Sequence, residues 1–102
     1  MFVLVCLVDG RPDATIEDHE NLQQLHVTFR GIDDALAVKT LAAAGIGTVV
    51  DDHVWLDIES LRAAGGGSDE WSQGFDAMLA YARRNDWVDA QRARVRAHIT
   101  RE

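Results

Sequence analysis

The chain of 102 residues is 47% hydrophobic and 26% charged, which is the composition of one ordinary soluble domain. Its 17 acidic and 10 basic residues give a formal net charge of −7, which disfavours nucleic acid and anionic membranes as partners. The single cysteine, Cys6, excludes an internal disulfide. The longest apolar run, residues 2–8, is far shorter than the roughly 20 residues of a membrane span and lacks the flanks of a secretory signal. We therefore expect a cytoplasmic protein.

Charge is unevenly distributed along the chain. Residues 1–60 hold eleven acids and three bases, whereas residues 61–102 hold six acids and seven arginines. One interpretation is a solvated surface with local Asp–Arg pairs. The other is an acidic surface of one subunit that meets the basic C-terminal part of a second subunit.

The N-terminal third predicts two strands. Residues 2–8 are apolar without alternation, which is typical of a strand covered on both faces. A glycine and a proline end this strand, and the polar, acidic residues 10–21 are predicted to form a loop. In residues 25–30 apolar and polar side chains alternate, which predicts a strand with one buried face and with His26 and Arg30 on the other.

A helix and a hairpin follow. The helix is predicted over residues 33–44, with Gly45 in the left-handed position after its end. Residues 47–50 predict a third strand, parallel to the second and joined to it by a right-handed crossover. A tight acidic turn then leads into a fourth strand, residues 53–56, in an antiparallel hairpin.

The C-terminal part is predicted to be helical. Asp57 caps a short helix that ends at Ala64, and Ser68 caps a longer one. The longer helix carries one apolar stripe, formed by Trp71, Phe75, Met78, Leu79 and Ala82. After a break at Asn85-Asp86, a final helix is expected to turn its apolar residues inward and its arginines outward; the inward residues are Trp87, Val88, Val95 and Ile99.

The element order is therefore β-β-α-β-β-α-α-α, and the predicted fold class is α+β with a single domain over residues 1–102. Residues 1–64 form a four-stranded mixed sheet with a helix. Residues 65–68 are a Gly-rich connector, and residues 69–102 form a C-terminal helical hairpin that packs on the sheet.

The candidate catalytic residues are His53, Asp52 and His26. A carboxylate beside an imidazole can orient it for general acid–base chemistry, and Asp52 directly precedes His53. The plainer interpretation is a polar, exposed turn. His26 and Arg30 share one face of their strand and are candidates to bind an anionic ligand if that face lines a cleft; otherwise the face is solvated.

Trp55 is the other candidate for ligand binding. It alternates with Val54 and Leu56, so its ring lies on the opposite face of the sheet from theirs. That face is either ordinary core beneath the C-terminal helices, or a ligand pocket or subunit interface in which the indole is accessible.

No metal or cofactor site is predicted. Residues 9–20 match a calcium-binding loop at three acidic positions, but Arg11 and Ala14 stand where the pattern needs an oxygen ligand and a glycine. The four histidines are scattered, without the spacing of a zinc-binding pair on a helix.

Two functions are consistent with these features. The first is a non-catalytic domain that docks on a partner protein or, as a homodimer, closes the exposed edges of its own small sheet. The alternative is a cofactor-free small enzyme or ligand-binding protein with a cleft between sheet and helices near His53 and His26. The alternative requires a pocket of several hundred cubic ångströms, and a solid core would count against it.

Overall fold

The computed structural model describes residues 1–102 and contains seven strands and three helices. In chain order they are β1 (Phe2–Val8), β2 (Arg11–Glu17), β3 (His26–Arg30), α1 (Asp34–Ala43), β4 (Gly47–Val50), β5 (His53–Asp57), α2 (Ile58–Ala64), α3 (Asp69–Arg84), β6 (Val88–Asp89) and β7 (Arg94–Arg101). The predicted α+β class is therefore confirmed. No helix in the fold combines the length and the apolar character needed to cross a membrane.

The strands form one mixed sheet in the order β2-β1-β3-β7-β5-β4. β1, β3 and β7 are parallel neighbours, whereas the β1–β2, β7–β5 and β5–β4 pairs are antiparallel. The two-residue β6 pairs with the beginning of β7. The predicted mixed sheet is thus correct, but the predicted number of four strands is wrong.

The first missed strand is β2, which lies in the segment predicted to be a loop. Only Ala14 and Ile16 are apolar and half-buried there, and they lie opposite Val5 and Val3 of β1. Two such residues make too short an alternation to stand out from the acidic residues around them. Pro12 is tolerated because β2 is an edge strand, where the missing N–H donor breaks no ladder between central strands.

The second missed strand is β7, and the predicted final helix is wrong. Val95 and Ala97 are buried, while Arg94, Arg96 and His98 alternate with them on the other face. Apolar residues four apart, Val95 and Ile99, suit a helix as well as a strand, which is why the spacing misled. α3 is consequently the one long helix after the glycine connector, and there is no C-terminal helical hairpin.

The predicted parallel pairing of the strands on either side of α1 is also wrong, because β7 and β5 lie between β3 and β4. The β4–β5 hairpin is confirmed, with Asp51 in the left-handed region at φ 55°. The three helix starts are confirmed as well. Asp33, Asp57 and Ser68 each accept a hydrogen bond from the backbone N–H three residues later.

The sheet curls around its helices. α1 contacts β2 and β4, which are the two opposite edge strands. A flat sheet of six strands would be about 24 Å wide, more than twice the diameter of a helix, so both edges reach α1 only if the sheet is strongly curved. The concave face holds the core, in which Val27, Val54 and Leu56 pack with side chains of the three helices.

The opposite face of the sheet is left open by the helices. Phe2, Leu4 and Cys6 on this face of β1 are half-buried, so β1 is not covered on both faces as its composition suggested. Trp55 also lies on this open face and is half-buried. It is therefore not covered by C-terminal helices.

Two long-range contacts hold the outer elements in place. In the first, the Nε1–H of Trp71 donates a 2.6 Å hydrogen bond to the carbonyl of His19. The Trp71 ring also stacks on Phe75 of the same helix, with 4.9 Å between centroids. At the other end of the sheet, Arg101 forms a two-pronged ion pair with Asp34, with N–O distances of 3.1 and 2.9 Å. The hydrogen bond from Arg101 holds the pKa of Asp34 below its usual value, and the carboxylate raises the pKa of Arg101.

We predict that Gly65→Ala destabilises the fold although Gly65 has an ordinary φ of −82°. A Cβ at this position would overlap the indole of Trp71, and such overpacking costs about 1–3 kcal/mol. Urea unfolding measures the change. In a Trp71→Ala background the same substitution is expected to cost less than about 0.5 kcal/mol, because the clash is gone. Equal costs in the two backgrounds would contradict this account.

Candidate functional site

A gap in the pairing of β7 creates the principal groove of the molecule. Along one edge of β7, β3 pairs with residues 98–101 and β6 pairs with residues 94–95, so no strand covers the middle. On the opposite edge β5 pairs without interruption with residues 94–98. In the gap the N–H of Arg96 donates a 2.7 Å hydrogen bond to the carbonyl of Trp87, which holds the chain before β6 at one end of the groove.

We call this cavity of about 490 Å³ the β7 groove. Its floor is the middle of β7. Residues 23–25, which precede β3, form the wall opposite Trp87. One side of α3 lies along it and contributes mainly apolar groups. The lining residues are Gln23, Gln24, Leu25, His26, His53, Met78, Leu79, Tyr81, Ala82, Trp87, Val95, Arg96, Ala97, His98 and Thr100.

Strand register places three histidines side by side at the groove. His26 on β3 and His53 on β5 are both register partners of His98 on β7, so all three lie in one row on the open face. The rings of His53 and His98 are 5.2 Å apart, and the His26 ring stacks on Phe2 at 5.1 Å. Candidates far apart in sequence thus converge at one place.

The imidazoles and the guanidinium of the groove have no hydrogen-bond partners within the chain. None of the three imidazoles donates or accepts a hydrogen bond, and the guanidinium of Arg96 forms neither a hydrogen bond nor an ion pair. The neighbouring Arg94 differs, since it pairs with Asp89 at 3.3 Å. Partial desolvation acts to raise the pKa of Asp89, but hydrogen bonds from Arg94 and the backbone of Arg92 keep it below its usual value. Asp89 is therefore already engaged away from Arg96.

The groove contains no carboxylate. The chain has 17 acidic residues, yet none of them lines this cavity, whereas its lining includes Arg96 and three histidines. A smaller cavity beside Trp71, by contrast, is lined by Glu20 and Glu70. The β7 groove is thus an acid-free region on a strongly acidic protein.

The other candidate residues from the sequence are placed elsewhere. Asp52 makes no hydrogen bond to His53 and instead contributes to the raised pKa of Arg101. Arg30 forms an exposed ion pair with Glu102 at 2.7 Å. Trp55 lies on the same sheet face as the histidine row, but outside the groove, with the Arg94 guanidinium 5.5 Å from its ring centre.

Sequence reasoning missed the contributions of Arg96, His98 and Tyr81 to this site. The first two were assigned to a helix, on which Arg96 and His98 would diverge by about 200°. The alternation of apolar and polar residues over 94–99 was the signal that could have placed both on one face. No sequence pattern marks Tyr81 as a binding residue, because single exposed aromatic residues are common on helices.

The chemistry available in the groove follows from its lining residues. The lining holds no serine or cysteine nucleophile and no carboxylate to orient an imidazole. The structure has no group of three or more His, Cys, Asp or Glu side chains arranged to hold a metal ion. What the groove offers is an apolar wall, unpaired imidazoles and one unpaired guanidinium.

Comparison with models of known families, with curated proteins and with solved structures finds no match for this chain.

We predict that His98→Ala leaves stability nearly unchanged, because the imidazole has no hydrogen-bond partner within the chain. The expected change in the free energy of unfolding is below about 0.5 kcal/mol. Val95→Ala, in the same strand but facing the core, should cost about 2 kcal/mol. Chemical denaturation compares the two variants. A cost for His98→Ala equal to that of Val95→Ala would mean that the histidine row is part of the structural framework.

Proposed function

We propose that the protein binds a small organic molecule in the β7 groove, without catalysing its conversion. The observation that carries the proposal is a cavity of about 490 Å³ whose imidazoles and guanidinium are unpaired within the chain. Ligand pockets in proteins have volumes of about 300–1,000 Å³, largely apolar walls and a few polar groups that fix orientation. This favours the second of the two functions expected from the sequence, because the required pocket is present beside His26 and His53.

The apolar wall favours a flat, aromatic or otherwise apolar ligand body. Tyr81 is 55% exposed and meets Trp87 edge-to-face, with 5.9 Å between ring centres and an interplanar angle of 70°. Met78 and Leu79 continue this wall along α3. Aromatic rings in such an arrangement can pack against a planar guest at small entropic cost.

The test is an NMR titration of the whole chain with 2-naphthamide, a neutral aromatic probe. We expect saturable shifts of backbone amides around Ala82, Trp87 and His98, with a dissociation constant of roughly 1 mM or tighter. Tyr81→Ala should weaken binding several-fold because the exposed wall is removed. Val38→Ala, which truncates an exposed apolar residue on α1 outside the groove, is the matched control and should bind like the wild type. An absence of shifts, or equal weakening by both variants, would refute the proposal.

Self-association through β4 is a second candidate function. The two sheet edges differ: β2 carries Pro12 and charged residues that discourage pairing, whereas β4 reads Gly-Thr-Val-Val, without charge or proline. Val50 on β4 is 48% exposed. An uncharged edge strand is a template for pairing with a second copy, and two β4 strands related by a two-fold axis would join into one continuous sheet.

Sedimentation equilibrium tests this second function. We expect a dimer of the wild type at high micromolar concentration and a monomer of Val50→Lys, because a lysine on the edge strand opposes pairing. Val38→Lys, at an exposed valine on α1 outside the edge strand, is the control and should remain a dimer. A wild-type chain that is monomeric throughout the concentration range removes this function and leaves ligand binding untouched.

A further inference from the structure

We infer that the ligand of the β7 groove is a carboxylate with a flat apolar body, and that Arg96 binds its carboxylate group. This inference rests on the proposed ligand binding and adds the charge and shape of the ligand. The charge of the groove is opposite in sign to the net charge of the chain. On a chain of net charge −7, the groove has one arginine, three histidines and no acid among its lining residues.

Arg96 is the cation available to an anion at this site. Its neighbours on the same face of β7 are Arg94, which is engaged by Asp89, and His98, which adds an unpaired imidazole. Arg96 is a half-buried residue, and its guanidinium has no ion-pair partner. A guanidinium that is partly shielded from water binds a carboxylate more strongly than a fully exposed one, because charge-assisted hydrogen bonds strengthen as water is excluded.

The composition of the groove favours a carboxylate over a phosphate. A single guanidinium offers a fork of two N–H donors, which matches the two oxygens of a carboxylate. The groove has neither a lysine nor a glycine-rich loop at a helix N-terminus, which are the usual supports of a phosphate group. About half of its lining residues are apolar, so most of a bound ligand would contact hydrocarbon rather than polar groups.

The positions of the groups also indicate how the ligand is oriented. The backbone hydrogen bond from Arg96 to Trp87 holds these two residues alongside each other, and both line the groove. The imidazoles of His98 and His53 follow on the other side of Arg96 along the open face. A ligand whose carboxylate is bound at Arg96 can therefore place its flat body against Trp87 and Tyr81 and direct any further polar substituent toward the histidine row.

The test compares two probes of the same shape, naphthalene-2-carboxylate and the neutral 2-naphthamide, by NMR titration and calorimetry of the whole chain. We expect the carboxylate to bind about tenfold more tightly than the amide. Arg96→Gln should abolish this preference, because it weakens carboxylate binding far more than amide binding. Arg96→Lys, which keeps the charge but loses the fork, should retain part of the preference. Arg92→Gln removes an exposed arginine outside the groove and is the matched control, with the preference intact.

The outcomes separate the two proposals. If the amide binds in the groove and the carboxylate binds no better, the inferred ligand charge is wrong and small-molecule binding stands. If the preference falls equally in Arg92→Gln and Arg96→Gln, it reflects general attraction to arginines, and the assigned role of Arg96 is overturned. If neither probe binds, the proposed function fails and this inference fails with it. In the absence of either probe, backbone amide chemical shifts and unfolding midpoints equal to those of the wild type verify that each variant is folded.

Discussion

The structure depends on the insertion of β7 between β3 and β5. Without this strand the sheet would be two separate pieces, β2-β1-β3 and β5-β4, which share no pairing. β7 joins them with parallel bonds on one side and antiparallel bonds on the other. Its buried residues, Val95 and Ala97, complete the concave face on which the helices pack. The same insertion also creates the groove, because β7 is longer than the part of its edge that β3 and β6 cover.

Local signals in the sequence were sufficient for the helices and the β4–β5 hairpin. Asp33, Asp57 and Ser68 act through atoms three residues away, so their capping role can be recognised without knowledge of the fold. Gly45, at φ +70°, ends α1 as expected for the same reason. For strand β7 the local signal, the alternation over residues 94–99, was ambiguous, because its apolar residues also suit a helix and its partners come from distant parts of the chain.

The candidate site was predictable only in pieces. His26 and His53 were singled out separately, one for its strand face and one for its place after an acidic turn. Their proximity depends on His98, which pairs with both, and therefore on the strand that was predicted to be a helix. The acid-free groove could not be predicted from composition either, because it depends on the positions of the carboxylates in the fold and not on their number. Several of them are engaged in helix caps or ion pairs, as with Asp57 and Asp34.

The position of β7 in the sheet has a consequence for synthesis on the ribosome. Every other strand is synthesised before residue 94, yet β3 and β5 then lack the neighbour that joins them. Until β7 follows, nascent chains expose the unpaired edges of two half-sheets and apolar side chains such as Val27 and Val54. Unpaired edges of this kind promote association between chains, so pairing of β7 also protects the chain from aggregation.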